Sequence, residues 1–314
     1  MRASAAAGHG AAYHLFNTRK NENKENVMTS SLKRNWLITG VSSGFGRILA
    51  QAALARGDSV AGTLRRAEQI AEFEALAPGR AHGICLDVTD FERIPPAIAE
   101  ALAALGHIDI LVNNAGYGLF GAIEEASPRE FERVMDTNFT GPLRLIQAVL
   151  PHMRSRGKGN IINFSSLAGV IGMPGVGLYC SAKFALEGMT ESLAAELAPF
   201  GIEVTLVEPG GFRTNFAGSS LAIVAEPIAA YDSTPAGKTR QHISSYYGRE
   251  PGDPVKGMQA VLQMLDAPKA PLRLVLGADA VKAIREKLAR ATGELEAWES
   301  VSVATALDPD SVVS

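Results

Sequence analysis

The chain alternates short β-branched apolar runs with longer stretches whose apolar residues recur every three or four positions. The short runs predict strands at Trp36–Thr39, Ser59–Thr63, His82–Leu86, Ile110–Val112, Asn160–Phe164, Glu203–Val207 and Leu272–Leu276. The longer stretches predict helices at Arg47–Arg56, Ala67–Leu76, Phe91–Leu105, Pro128–Arg156, Leu178–Phe200 and Pro254–Leu265. Because parallel strands need crossover connections, this alternation predicts an α/β fold of the doubly wound class, with a seven-stranded parallel sheet and helices on both faces.

One domain, residues 34–293, accounts for this pattern, since no linker or composition break divides it. Residues 1–33 are expected to be a disordered extension. The stretch 211–253 is rich in Pro, Gly and Ser with interspersed aromatic residues, and its length inside a compact domain indicates a substrate lid. A last helix is expected from Asp279 to Ala289, and residues 294–314 are expected to form an irregular acidic tail.

The composition is that of a folded globular protein. Hydrophobic residues make up 46% of the 314 residues and charged residues 20%. The formal charge of -3 lacks the basic excess that attracts nucleic acid or an anionic membrane, and no apolar run reaches the length of a bilayer span. A small-molecule substrate is therefore favoured over a nucleic acid or membrane partner.

Cysteine and histidine usage gives no metal or disulfide signal. Cys85 and Cys180 do not form a C-x-x-C pair, and the six histidines lack ligand spacing. We predict no bound metal and a reducing, cytoplasmic setting.

A glycine-rich turn follows the first predicted strand. Gly40, Gly44 and Gly46 give the spacing G-x-x-x-G-x-G just before a helix. Such a turn lets the backbone approach a pyrophosphate, and the helix N-terminus offers free N–H groups to it. Two other interpretations exist: a purely structural turn, and a hydrolase nucleophile elbow, because Gly40 to Gly44 also reads G-x-S-x-G. The elbow is disfavoured, since it needs oxyanion donors upstream and little of the predicted fold precedes Ser42.

Tyr179 and Lys183 form a candidate acid–base pair. They lie at i and i+4 on one predicted helix, so their side chains share a face. A free phenol has a pKa of ~10, and a neighbouring ammonium group is expected to lower that pKa toward neutrality. Ser166 precedes Tyr179 by thirteen residues.

Pro142 predicts an interruption in the helix over 128–156. It lies four residues after Asn138 and cannot donate a hydrogen bond to that residue's carbonyl group. A kink and a free carbonyl acceptor are expected there.

Taken together, Thr39–Gly46, Asn113–Gly116, Ser166, Tyr179–Lys183 and Pro209–Gly210 resemble the short-chain dehydrogenase/reductase family, from Asn35 to about Leu276. The resemblance implies a Rossmann-type fold, a nicotinamide dinucleotide and an alcohol or carbonyl substrate. It implies that Ser166 binds the reacting oxygen, that Tyr179 exchanges the proton, that Lys183 also holds the nicotinamide ribose, and that the Asn138 carbonyl holds a relay water. The cofactor contacts it implies are Gly40, Ser42, Ser43, Gly44, Phe45, Gly46, Arg65, Asp87, Val88, Asn114, Ala115, Gly116, Tyr179, Lys183, Pro209, Gly210 and Thr214.

The end of the second predicted strand bears on the choice of cofactor. Leu64 stands where NAD-dependent members of the family carry Asp, and Arg65 and Arg66 follow it. An arginine at this place suits the 2′-phosphate of NADP, so NADP is predicted.

The predicted function is therefore NADP-dependent interconversion of an alcohol and a ketone or aldehyde, on a substrate that is apolar. A homodimer or homotetramer is expected, formed through the helices that carry Asn138 and Tyr179. The alternative is a catalytically weak NADP-binding sensor or regulator on the same fold. Intact Ser166, Tyr179 and Lys183 disfavour that alternative.

Overall fold

The computed structural model describes residues 33–218 and 220–307. Its main sheet has seven parallel strands in the order β3-β2-β1-β4-β6-β7-β9. These are β1 (Asn35–Ile38), β2 (Ser59–Leu64), β3 (Ala81–Cys85), β4 (Ile110–Asn113), β6 (Gly159–Phe164), β7 (Ile202–Pro209) and β9 (Arg273–Leu276). A second sheet pairs β5 (Gly118–Phe120) in parallel with β8 (Leu221–Ile223). The predicted doubly wound, seven-stranded fold is confirmed.

Helices cover both faces of the main sheet. They are α1 (Gly44–Ala55), α2 (Ile70–Glu74), α3 (Ile94–Leu105), α4 (Pro128–Met135), α5 (Gly141–Arg156), α6 (Gly177–Leu197), α7 (Pro235–Tyr246), α8 (Pro254–Leu265) and α9 (Ala278–Val303). Successive side chains of β1 point to opposite faces. Trp36 and Ile38 join the core under α1 and α8, whereas Leu37 joins the core under α3, α5 and α6.

The strand order places a crevice at the carboxyl ends of β1 and β4. Here the order reverses, because β2 and β3 lie on one side of β1 while β4, β6, β7 and β9 lie on the other. Ligands of open α/β sheets bind at such a reversal. The glycine turn after β1 and the Asn114–Gly116 turn after β4 both open into this crevice.

The long helix predicted over 128–156 is interrupted, as Pro142 predicts. Between α4 and α5 the chain makes a π-helical turn, Asp136–Thr140, which contains Asn138. Pro142 then lies at the first turn of α5, where a missing N–H is tolerated.

The segment 211–253, which we call the lid segment, is more regular than the sequence indicated. It contains β8 and α7, and β8 pairs with β5 of the body. Arg240 of α7 is buried and bonds the carboxylates of Glu125 and Asp232, so the segment is fastened to the body by an ion pair. A lid function for this segment stays a prediction.

The C-terminal expectation was wrong in part. The helix expected to end near Ala289 continues to Val303, so residues 294–303 are helical and not irregular. The glutamates here are good helix formers, and the stretch between Lys282 and Trp298 contains one glycine, Gly293, and no proline. The expectation for residues 1–32 falls outside the described residues. None of the described helices has the length and apolar character to cross a bilayer.

Candidate active site

The glycine turn has the conformation that its glycines predict. Gly40 and Gly44 have φ of +73° and +58°, a region that favours glycine. Helix α1 begins at Gly44, earlier than the Arg47 expected, and its N-cap Ser43 makes no side-chain capping hydrogen bond. The first N–H groups of α1 therefore stand at the crevice without a side-chain acceptor from Ser43.

Gly46 serves the turn by packing. A Cβ on Gly46 would lie 2.5 Å from Asn114 Nδ2 and well under 3.0 Å from the Gly40 carbonyl oxygen. Alone among the predicted cofactor residues, Gly46 does not line the crevice. Its role is to let α1 approach the strand ends, which the third glycine of dinucleotide turns also does.

Thr39 and Asn114 tie the two turns together. Asn114 Nδ2 donates to the Thr39 carbonyl oxygen at 2.8 Å and to that of Gly40 at 3.2 Å. Thr39 Oγ1 accepts from the Asn114 and Ala115 amides at 2.9 and 3.0 Å. These bonds fix the ends of β1 and β4 relative to each other.

Tyr179 and Lys183 lie one turn apart on α6, and both are buried. Lys183 Nζ donates to the Phe164 carbonyl oxygen at 2.8 Å and lies 5.8 Å from the centre of the Tyr179 ring. Ser166 Oγ accepts from the Ala168 amide at 3.1 Å, and the Ser166 side chain acts on the pKa of Tyr179. The shared helix face predicted for the pair is confirmed.

The sequence-based expectation that the pKa of Tyr179 is lowered was wrong. Burial raises the pKa of Tyr179 above its usual range, although the Ser166 hydrogen bond lowers it. Burial also lowers the pKa of Lys183 to about 8, against the raising effect of Glu187. Desolvation is the largest cause of both pKa shifts, so at neutral pH the phenol keeps its proton.

Asn138 and Lys183 approach one point above Gly116. A Cβ on Gly116 would lie 2.7 Å from Asn138 Oδ1 and 3.7 Å from Lys183 Nζ. Asn138 is fully buried, and its Nδ2 donates to the carbonyl oxygens of Tyr117 and Val134 at 3.0 and 2.9 Å. A side chain at position 116 would therefore collide with the Asn138 amide group. The relay role of the Asn138 carbonyl stays a prediction.

Two buried carboxylates, one on α6 and one on β7, face the last strand of the sheet. Glu187, one turn after Lys183, and Glu208, at the end of β7, both face Arg273 of β9, at 3.1 and 3.4 Å. Burial, with repulsion from Glu187, raises the pKa of Glu208 to about 7. Burial also raises the pKa of Glu187. The sequence-based reasoning did not select these residues, although a glutamate in an apolar strand signals a buried ion pair.

Arg65 and Arg66 stand at the rim of the crevice and differ in their partners. Both are exposed. Arg66 pairs with Glu68 at 3.5 Å, whereas Arg65 has no ion-pair partner among the described residues. Leu64 is 2% exposed and points into the core, so its side chain is not the one available at the strand end.

The two halves of the site form one cleft of about 1490 Å³. It is lined by every predicted catalytic residue and, apart from Gly46, by every predicted cofactor residue. No histidine is among the described residues that line it, so the hydrolase interpretation of Ser42 lacks its base. No cluster of metal-binding side chains occurs in the described part of the chain.

The sequence-based reasoning also missed supporting residues. Asn163 accepts from Asn113 Nδ2 at 2.8 Å and donates to Thr190 Oγ1 at 2.9 Å, which links β4, β6 and α6 in the interior. Asn163 interrupts an apolar run, and Thr190 lies seven residues after Lys183 on the same face of α6. From these two positions in the sequence, the supporting role of Asn163 and Thr190 could have been predicted.

The cleft suits a nicotinamide dinucleotide. The turn at Gly40 and Gly44 and the buried pair Tyr179 and Lys183 line the same cleft. Asp87 and Thr214 line it too, and each also holds a local turn by accepting from the amide two residues on, Thr89 and Phe216. Apolar side chains, including Phe216 at 5.5 Å from Tyr179 between ring centres, line the remaining space.

Known proteins match the chain over most of its length. A profile of the short chain dehydrogenase family matches residues 34–222. Oxidoreductase BOA17 of Botryotinia fuckeliana (strain B05.10) is 38% identical over 274 residues, which cover 86% of this chain and 98% of that protein. Retinol dehydrogenase 8 of Homo sapiens is 37% identical over 257 residues, which cover 76% of this chain and 80% of that protein.

A solved structure agrees with this result. A short-chain dehydrogenase from Streptomyces avermitilis has a TM-score of 0.81 and 46% identity, and the match covers 88% of this chain and 100% of that one. The family profile alone matches more than half of the chain. The chain therefore belongs to the short-chain dehydrogenase/reductase family of NAD(P)-dependent oxidoreductases.

Proposed function

We propose that this protein is an NADP-dependent reductase of apolar ketones or aldehydes, with Tyr179 as its proton donor. The observation that carries the proposal is that Ser166, Tyr179, Lys183 and Asn138 line the same cleft as the glycine turn. When bound, the dinucleotide supplies the hydride.

The proton chemistry favours reduction at neutral pH. Because burial raises the pKa of Tyr179, its phenol carries the proton that a developing alkoxide needs. Ser166 is placed to donate a hydrogen bond to the same oxygen. Lys183, whose pKa lies at about 8, is held against the Phe164 carbonyl and brings a positive charge to the site at pH 7.

Arg65 supports the choice of NADP. It is exposed at the rim of the cleft and has no ion-pair partner among the described residues, so its guanidinium group is available to a phosphate. Arg65→Ala should weaken NADP binding by at least tenfold and leave NAD binding unchanged. Arg66→Ala is the matched control, since Glu68 already pairs with that side chain. Equal NADP affinity in wild type and Arg65→Ala would refute this choice.

The substrate end of the cleft supports an apolar substrate. Side chains of Leu119, Val176, Phe216 and Ile243 line it. An apolar ligand binds more tightly in such a cleft, because binding removes apolar surface area from water. The name of the human relative, retinol dehydrogenase 8, points to the same substrate character.

The function is tested with a panel of carbonyl compounds. NADPH oxidation is followed by absorbance. The rates with apolar ketones and aldehydes are compared with the rates with sugars and short 2-keto acids. Turnover should be confined to the apolar members. Tyr179→Phe should bind NADPH normally but lose on the order of 10²- to 10⁴-fold in kcat. Binding of NADPH without turnover on any compound would favour a sensor instead.

Assembly and location complete the proposal. Phe131 on α4 and Phe184 on α6 are 44% and 45% exposed, which supports a homo-oligomer through the helices around Asn138 and Tyr179. Cys85 and Cys180 are free thiols, which suits a cytoplasmic setting.

A further inference from the structure

The C-terminal half of α9 extends away from the rest of the fold. Ala280 is the only buried residue of this helix, and every residue from Leu288 to Val303 is exposed. At 1.5 Å per residue, that exposed part is roughly 24 Å long. A helix of this length is marginal in water without a packing partner. Its partner is therefore not found among the described residues.

The exposed helix carries a regular apolar stripe. Leu288, Leu295 and Trp298 are 58%, 66% and 65% exposed. Apolar residues follow one another at intervals of three, four, three, four and three residues, at Val281, Ile284, Leu288, Ala291, Leu295 and Trp298. A strict repeat of 3.5 residues is the pattern of a helix that pairs with another helix.

The charges of α9 are divided between its two halves. The first half carries four basic residues, Lys282, Arg285, Lys287 and Arg290, against two acidic residues, Asp279 and Glu286. The second half carries Glu294, Glu296 and Glu299 and no basic residue. Two such helices side by side in parallel would set like charges together. In antiparallel orientation, each basic half lies beside the acidic half of its partner.

The middle of the stripe permits a close approach. Ala291, which lies on the stripe near its middle, has a small side chain. Small side chains at a crossing point let two helix backbones come near each other. The acidic half also disfavours an anionic membrane as the partner of this stripe.

We propose that two copies of this chain associate through α9, paired in antiparallel orientation. The stripe of each helix covers that of the other, and the opposite charges of the two halves fix the orientation. This interface is separate from the surface around α4 and α6, because it lies beyond β9 at the end of the chain.

Charge exchange tests the proposal on the full chain. K287E/R290E makes both halves of α9 acidic, and E296K/E299K makes both basic. Each variant should show half the wild-type mass by size exclusion with light scattering. The four substitutions combined in one chain restore opposite halves and should restore the wild-type mass. Val255→Glu is the control, since Val255 is a 51% exposed apolar residue on α8 and its substitution should leave the mass unchanged.

Fluorescence of Trp298 gives a second measurement. Trp36 is fully buried, so the difference between wild type and Trp298→Phe reports Trp298 alone. Its emission should shift to the red in K287E/R290E and return in the combined variant. The proposal is overturned if all charge variants keep the wild-type mass, as expected were α9 covered by another segment of its own chain. It is equally overturned if the combined variant fails to regain that mass.

Discussion

Replacing Gly46 with alanine tests whether close packing of α1 against the strand ends builds the nucleotide site. Gly46 does not line the cleft, so a methyl group there cannot block a ligand directly. It would press on the Gly40 carbonyl oxygen and on Asn114 Nδ2, which are hydrogen-bonded to each other at 3.2 Å. Any loss of cofactor affinity would then report displacement of the turn.

The magnitude follows from the contacts. A methyl carbon 2.5 Å from Asn114 Nδ2 is roughly 1 Å inside ordinary contact distance, so the turn must move. Overpacking of this kind costs about 1–3 kcal/mol, and weakening the Asn114 bonds adds about 1 kcal/mol. The higher helix propensity of alanine offsets up to about 1 kcal/mol of this loss in the free energy of unfolding. The net expectation is a loss of about 1–3 kcal/mol in the free energy of unfolding.

Urea denaturation and NADP titration of Gly46→Ala measure the two effects. The unfolding midpoint should fall without a change in slope, and the Kd for NADP should rise at least tenfold. Gly172→Ala is the matched control, because Gly172 is exposed and a Cβ there meets no atom within 4 Å. A Gly46→Ala protein with wild-type stability and wild-type affinity would refute the packing argument. Equal losses in both variants would assign the effect to glycine removal in general.

Three further outcomes are expected. Because Glu208 has a folded pKa of about 7, above its ordinary 4.5, wild type should lose stability as pH rises through that range. In urea titrations, the free energy of unfolding of Glu208→Gln, measured relative to that of wild type, should therefore rise by up to about 3 kcal/mol between pH 4.5 and 8. Arg240→Met should lower the free energy of unfolding, since it leaves the Glu125 carboxylate unpaired, and adding Glu125→Gln should recover much of that loss in a double-mutant cycle. Glu187→Gln removes the charge that raises the pKa of Lys183, so the alkaline limb of its kcat/KM profile should move to lower pH while NADPH affinity at pH 6 is kept.

Most of the fold and of the cleft could be predicted from local patterns in the sequence. The seven strands, the turn at Gly40 and Gly44, and the shared face of Tyr179 and Lys183 depend on spacing along the chain, which a sequence displays directly. The interruption near Asn138 followed from the missing N–H of Pro142. These features need no knowledge of distant contacts.

Features that depend on tertiary contacts were missed. The pairing of β5 with β8 joins short segments about a hundred residues apart, and neither is long enough to show a strand pattern. The pKa of Tyr179 depends on how deeply α6 is buried, and spacing cannot report burial. Helix α9 was cut short because its acidic second half was interpreted as a tail, although its 3.5-residue apolar repeat runs through to Trp298.

The last strand takes part in the site although none of its residues lines the cleft. Burial brings the pKa of Lys183 to about 8, so at neutral pH the lysine keeps its charge by a narrow margin. Glu187 raises that pKa, and Arg273 of β9 holds Glu187 in place at 3.1 Å while it also bonds Glu191 at 2.6 Å. Arg273 lowers the pKa of Glu187, against the larger raising effect of burial. The pKa of Lys183 therefore depends, through Glu187, on a residue of the strand at the far edge of the sheet.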